Sequence, residues 1–186
     1  MPRPNWFFAF PVEGAFVLEL PELPNGFRRF HPNDVHLTLA FLGGCGEEKA
    51  RRALAALDER LRAAPLASLE VTLGEVVPMG PKPAYSALSA LLDRGRTEAI
   101  AHLASTRDVL TEAALGRREK RAPKPHITLA RPPLRANEAS RAEGLAWARG
   151  VSLRSVARRL DRIALYTWHE NRKEQLFRIV EERPLV

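Results

Sequence analysis

The sequence predicts an α+β fold of two pseudo-symmetric lobes, each an antiparallel sheet with packed helices. Three observations lead there. Short alternating or aromatic segments are interleaved with three stretches of helical periodicity. Nearly the same pentapeptide occurs twice, as His36-Leu37-Thr38-Leu39-Ala40 and His126-Ile127-Thr128-Leu129-Ala130. No linker or low-complexity stretch divides the 186 residues, a length usual for one domain. The expectation is a single two-lobed domain over residues 1–186, with one motif per lobe facing a central cleft.

Each element has its own signal. Residues 5–11 carry Trp6, Phe7, Phe8 and Phe10 before a proline stop, the mark of a buried strand. Residues 13–33 are ambiguous, because Phe16 to Leu20 suits either a helical turn or a strand, and Pro21 and Pro24 forbid a long helix. His31-Pro32-Asn33-Asp34 is a turn, and residues 35–42 form a strand ending at Gly43-Gly44. Ala50, Ala53, Leu54, Leu57, Leu61 and Ala64 recur at helical spacing up to Pro65. Glu47 and Glu48 favour that helix's N-terminus and stand four residues before Arg51 and Arg52. Residues 69–77 alternate as a strand, Pro78 to Pro83 make a loop, and 84–92 form another strand. A second helix spans 93–115, stopped by Gly116. Residues 126–130 form a strand between prolines. Asn137 caps a third helix over 137–149. Two strands, 158–168 and 175–181, close the chain around a turn at His169-Glu170-Asn171-Arg172.

Composition narrows the class. Hydrophobic residues are 45% and charged residues 27%, a globular mix that argues against disorder. No apolar run approaches the roughly 20 residues of a spanning helix. Met1-Pro2-Arg3-Pro4 lacks the apolar region of a signal peptide. Cys45 alone makes neither an internal disulfide nor a Cys-based zinc site. A soluble cytoplasmic monomer, away from membranes, is expected. The net charge of +7 suits a polyanionic partner. Nearly all of that excess falls in one stretch, where Arg117, Arg118, Lys120, Arg121, Lys124, Arg131 and Arg135 face only Glu119. That stretch surrounds the second motif, which favours an RNA partner over a merely solvated loop.

The repeated motif carries the chemistry. Seven threonines in 186 residues make two chance His-x-Thr strings, both followed by Leu-Ala, improbable. Side chains alternate along a strand, so His36 and Thr38 share one face while Leu37 and Leu39 share the other. The same holds for His126 and Thr128 against Ile127 and Leu129. If a pseudo-twofold relates the halves, two imidazoles and two hydroxyls meet across one cleft. A neutral imidazole can take a proton from a nucleophile, and an imidazolium can give one to a leaving oxygen, near neutral pH. Threonine hydroxyls can donate to non-bridging phosphate oxygens. This is phosphodiester chemistry that calls for no metal or cofactor. A metal site is the poorer alternative, with Asp34 the one acid near either motif. Spacing leaves open which histidine is the acid and which the base.

These residues resemble the two-histidine phosphoesterase superfamily, defined by paired His-x-Thr-x motifs about half a chain apart. More specifically the chain is similar to the RNA 2′,3′-cyclic phosphodiesterases, also called 2′-5′ RNA ligases. The likeness rests on Phe7-Phe8-Ala9, on His36 to Gly43, on Lys124 to Arg131, and on the late Leu165-Tyr166 strand. The resemblance implies a two-lobed α+β fold and metal-independent opening of a terminal 2′,3′-cyclic phosphate to a 2′-phosphate, with ATP-independent 2′-5′ ligation open to the same site. It implies His36 as proton donor, His126 as proton acceptor, and Thr38 and Thr128 as phosphate-binding positions. The chain departs from the family where Pro21 and Pro24 interrupt the region after the first strand, usually a helix.

Around the motif, Arg131, Lys124, Arg121 and Arg118 are candidate contacts to an RNA backbone, among them single-stranded ends such as tRNA fragments. Arg131 stands on the opposite strand parity from His126. Phe8, Tyr85, Tyr166 and Trp168 are candidate base-stacking residues. Two other readings compete. One is a binding module that captures RNA ends without turnover; the other is an esterase for a small cyclic nucleotide or cyclic ADP-ribose phosphate.

Overall fold

A computed structural model describes residues 3–81 and 83–186; Met1 and Pro2, on which part of the N-terminal reading falls, lie outside it. Among the described residues, nine strands and three α-helices alternate. They are β1 (Trp6–Pro11), β2 (Arg28–Arg29), β3 (His36–Gly43), α1 (Glu47–Ala63), β4 (Leu69–Met79), β5 (Ala87–Leu92), α2 (Arg96–Leu115), β6 (His126–Arg131), α3 (Glu138–Gly150), β7 (Ala157–Leu160), β8 (Arg162–Trp168) and β9 (Phe177–Pro184). The strands join in one antiparallel sheet of order β7-β4-β5-β6-β3-β1-β8-β9, with the short β2 added to β6.

The lobes are legible in that order. Strands β9, β8, β1 and β3 make one half, and β6, β5, β4 and β7 make the other. The two motif strands are the central neighbours. A single pair, Leu37 opposite Ile127, bridges them.

The predicted strand over 158–168 is two strands, and the break explains the shape. Asp161 separates β7, which pairs with β4, from β8, which pairs with β1 and β9. Strands near opposite ends of the sheet order are thus one residue apart in the chain, so the sheet must curl. The C-terminus fastens the curl, with Leu185 N–H donating to Asp161 C=O and Val186 N–H to Leu66 C=O.

The helices follow their sequence signals with small shifts. In α1, Ala50, Ala53, Leu54 and Leu57 are buried, and Glu47 pairs with Arg51 at 2.7 Å. Helix α2 begins three residues later than predicted. Asp93 is held by Thr72 C=O, and Gly95 turns at φ 77° against the Glu70 carbonyl, where a Cβ would clash at 2.6 Å. Gly116 ends α2 in the left-handed conformation. The Asn137 side chain caps α3 by accepting from Ser140 N–H at 2.8 Å.

The ambiguous region resolves into two short 3-10 helices, Ala15–Glu19 and Pro32–Asp34, with β2 between them. Arg29 holds the first of them, donating to the carbonyls of Val17, Leu20 and Pro21. One apolar cluster runs through the molecule, including Phe8, Phe10, Leu37, Leu39, Leu57, Leu110, Ile127 and Leu129. Burying such side chains stabilises by roughly 1.5–3 kcal/mol each before entropy is charged against it. No helix among the described residues is long and apolar enough to cross a membrane.

Candidate active site

The motif strands repeat each other residue by residue. Over six positions, from His36 to Phe41 and from His126 to Arg131, the pattern is the same: half-buried, buried, half-buried, buried, buried, exposed. The Leu37–Ile127 pair sets the antiparallel register. It places His36 across from Thr128 and Thr38 across from His126, all four on the face away from the apolar core. The pseudo-twofold expected from sequence passes through that pair.

Each imidazole is oriented in the same way. His36 Nδ1 lies 2.6 Å from Asp34 C=O, and His126 Nδ1 lies 2.7 Å from Lys124 C=O, each carbonyl two residues upstream. A carbonyl only accepts, so Nδ1 carries the proton in both rings. Nε2 is left with its lone pair in the neutral form, or with a proton to give in the charged form.

Their surroundings differ. Phe7, Tyr166 and Phe177 surround His36, with ring centroids at 4.9, 5.5 and 5.6 Å. Burial pushes the His36 imidazole down to about 4; the Asp34 carbonyl opposes this, while the charges of Arg131 and His126 add to it. Burial also lowers His126, opposed by the Lys124 carbonyl and helped by the Lys124 charge. Both rings are therefore neutral at pH 7 before substrate arrives.

Both strands also contain the same irregularity. In β3, Thr38 opposes Ala9 and Ala40 opposes Phe8, so Leu39 is an extra residue. In β6, Thr128 opposes Ser89 and Ala130 opposes Leu88, so Leu129 is extra. A β-bulge of this kind re-aims the side chains beyond it. Simple alternation puts Arg131 on the parity opposite to His126. The bulge returns it to the cleft, and it does the same for Phe41. Arg131 and Phe41 both line a cavity of about 220 Å³ with His36, Thr38, Trp168 and Arg172.

Several residues singled out in the sequence have other places. Phe8 is 0% exposed and faces the core opposite Ala40, so it cannot stack a base. Tyr85 and Tyr166 are buried as well, at 2% and 1% exposure. Trp168 alone of the four lines the cavity. Arg118 is paired with Glu112 of α2 at 2.5 Å and Arg121 with Glu119 at 2.8 Å, so the basic loop is partly neutralised by its own and the neighbouring helix's acids. Lys124 is exposed beside His126. Asp34 is not a metal ligand in waiting. Its buried carboxylate accepts from the N–H groups of Leu176 (2.8 Å) and Phe177 (2.9 Å), and so stands at the end of a turn rather than in β3. Among the described residues no three His, Cys, Asp or Glu side chains gather as a metal would need.

Other residues enter through the structure. Ser89 Oγ lies 3.2 Å from Thr128 Oγ1 and orients that hydroxyl. Phe41, 55% exposed, forms one lip of the cavity. Aligning the two hexapeptides would have found Phe41, which matches Arg131. Ser89 is visible only through strand pairing. A separate cavity of about 870 Å³ lies beyond the Pro32–Asp34 turn and holds neither motif histidine.

A curled antiparallel sheet of two helix-flanked lobes, with the two His-x-Thr strands side by side where the lobes meet, is the α+β two-lobed fold expected from the sequence. Among solved structures, the chain is similar to LigT of E. coli in its apo form, with a TM-score of 0.70 at 16% identity, over 100% of this chain and 99% of that one. It is similar to TT0787 of Thermus thermophilus, with a TM-score of 0.66 at 24% identity over 97% of both chains. It is more distantly similar to Usb1 of Kluyveromyces marxianus, with a TM-score of 0.54 at 12% identity over 87% and 92%. No family model and no curated protein matches the sequence.

Proposed function

We propose that this chain is a two-histidine phosphodiesterase that opens terminal 2′,3′-cyclic phosphates on RNA to 2′-phosphates. The observation that carries the reading is the matched pair of imidazoles. Each is fixed through Nδ1 to a carbonyl two residues upstream, which turns Nε2 outward on the strand face that also carries the threonines. A pure binding module has no use for two rings held in the same tautomer.

In this reaction water attacks phosphorus and the P–O3′ bond breaks. His126 takes the water proton at Nε2, and His36 gives its Nε2 proton to the departing O3′. Thr38 and Thr128 donate to the non-bridging oxygens as charge gathers there. Both rings rest neutral, so the acid takes up its proton together with the anionic substrate, whose charge favours imidazolium. The division of roles follows the family resemblance. The fold shared with LigT, a protein also solved in complex with 3′-AMP, supports a nucleotide substrate. Ligation, without ATP, puts an RNA 5′-hydroxyl in place of the water: His126 takes the hydroxyl proton and His36 again protonates the departing O3′, leaving a 2′-5′ linkage. Arg131, which lines the cavity with His36, and Lys124, two residues before His126, meet the RNA backbone.

The test uses a short RNA ending in a 2′,3′-cyclic phosphate, incubated with the protein in EDTA without ATP. Conversion to the 2′-phosphate, lost in His36→Ala and in His126→Ala, is the expected result. No conversion between pH 4 and 8 would reject the reading.

A further inference from the structure

The cleft holds more positive charge than one phosphodiester requires. Arg28 and Arg131 are directly opposite each other on β2 and β6. Like charges in that relation destabilise a sheet. Arg172, from the turn between β8 and β9, joins them. Its guanidinium lies over the Trp168 ring at 4.0 Å, and its buried Nε has no partner. Arg28 Nη2 donates to the carbonyls of Arg172 and Lys173 at 3.0 and 3.1 Å, which fixes the turn that presents Arg172. Arg131 lies over the Phe30 ring at 5.2 Å.

Among the described residues, none of the three arginines has a carboxylate within ion-pair distance. The acid that Arg131 feels is Asp34, whose oxygens are taken by two backbone amides. Crowding by Arg172 and Arg28 adds to burial in making the Arg131 charge harder to hold. An unneutralised group of this kind is expensive unless an anion completes it. Arg131 and Arg172 line the same cavity as His36 and Thr38, so that anion sits beside the reacting phosphate. The scissile group itself carries a single charge, and the threonines and histidines serve it.

We propose that Arg28, Arg131 and Arg172 form a second anion site, which holds the phosphate on the 5′ oxygen of the nucleotide whose cyclic phosphate lies between the histidines. This rests on the cyclic phosphodiesterase reading above. The site makes the enzyme discriminate by charge: a nucleoside cyclic phosphate leaves it empty, whereas an oligonucleotide end or a 5′-phosphorylated nucleotide fills it. Planar guanidiniums suit such a group, because each can present two parallel N–H donors to two oxygens.

Three substrates test this: a nucleoside 2′,3′-cyclic phosphate, its 5′-phosphorylated form, and a dinucleotide ending in the cyclic phosphate. The expected kcat/KM is about tenfold or more higher on at least one of the charged pair, the size of one charge-assisted contact. A gain on the dinucleotide assigns an internucleotide phosphate; a gain only on the 5′-phosphorylated nucleotide assigns a terminal monoester. Arg172→Gln should collapse the ratio to near one. Arg28→Gln, which frees the turn, should lower it by a smaller factor. Arg51→Gln, on the exposed side of α1, should leave the ratio intact and controls for net charge. A wild-type ratio near one, or an equal loss on all three substrates in Arg172→Gln, overturns the proposal. If the protein turns over none of them, the cyclic phosphodiesterase reading fails separately. Calorimetric binding then decides the anion site. A nucleoside 3′,5′-bisphosphate should bind about tenfold tighter than the 3′-monophosphate, and Arg172→Gln should abolish the difference. Equal affinity for the two would refute it.

Discussion

The two motif strands share a backbone plan and differ in what surrounds it. Each holds its histidine through a carbonyl two residues upstream, and each carries one extra residue after its threonine. Aromatic rings enclose His36, while Lys124 stands beside the more open His126. Thr38 lies opposite Ala9, which offers no hydroxyl, whereas Thr128 is held by Ser89. Beyond the bulge, one lobe presents Phe41 and the other Arg131. The duplicated scaffold fixes where the groups stand, and the unmatched neighbours decide what each one does.

The widest break in the comparison comes from removing either ring. His36→Ala and His126→Ala should each lower kcat by about 10²–10⁴-fold, as loss of a positioned acid or base does. A large loss in only one of them would mean that the lobes do not share the proton transfers. Asp34→Ala comes next. It strands two buried amides of the segment that carries Phe177, and should cost about 3 kcal/mol in denaturant unfolding. The matching position in the other lobe, Lys124, contributes only its carbonyl to the ring, so Lys124→Ala should leave stability within about 0.5 kcal/mol. Equal costs would show that the anchoring is not peculiar to the first lobe.

The pH profile sharpens the contrast in proton affinity. The productive state has one proton on the pair. Below about pH 4 both rings are protonated, and above the lowered value of His126 neither is. Thus kcat/KM should peak below pH 6.5 and fall up to tenfold per unit on the alkaline side. A plateau through pH 8 would contradict the neutral resting state. The smallest effect belongs to Ser89→Ala, which makes the second lobe like the first. Loss of one hydrogen bond of about 1 kcal/mol predicts roughly a fivefold lower kcat. In a Thr128→Val background the same change should do nothing.

The repeated pentapeptide made the two central strands, the cleft face and the four motif side chains legible in the sequence. Periodicity located the helices to within a turn. What escaped depends on pairing between distant segments. The alternation rule misplaced Arg131 because an inserted residue in β6 shows only against its partner β5. Phe8 was a candidate for base stacking, yet strand alternation sends it into the core and leaves its neighbour Phe7 beside His36. Asp34, the one acid near either motif, spends its oxygens on a segment 142 residues away, which no local signal announces. Asp161, which splits one predicted strand in two, has no local breaker signal; the curl of the sheet imposes it.

The extra residue in each motif strand gives the two lobes unequal tolerance to insertion and deletion. Dropping Leu39 would leave His36 and Thr38 in place and turn the Phe41 ring toward an apolar interior that can accept it. Dropping Leu129 would do the same to the Arg131 guanidinium, whose charge that interior cannot solvate. Equivalent length changes in two matching strands thus differ in severity, and the side chain at the sixth position decides which strand must keep its count.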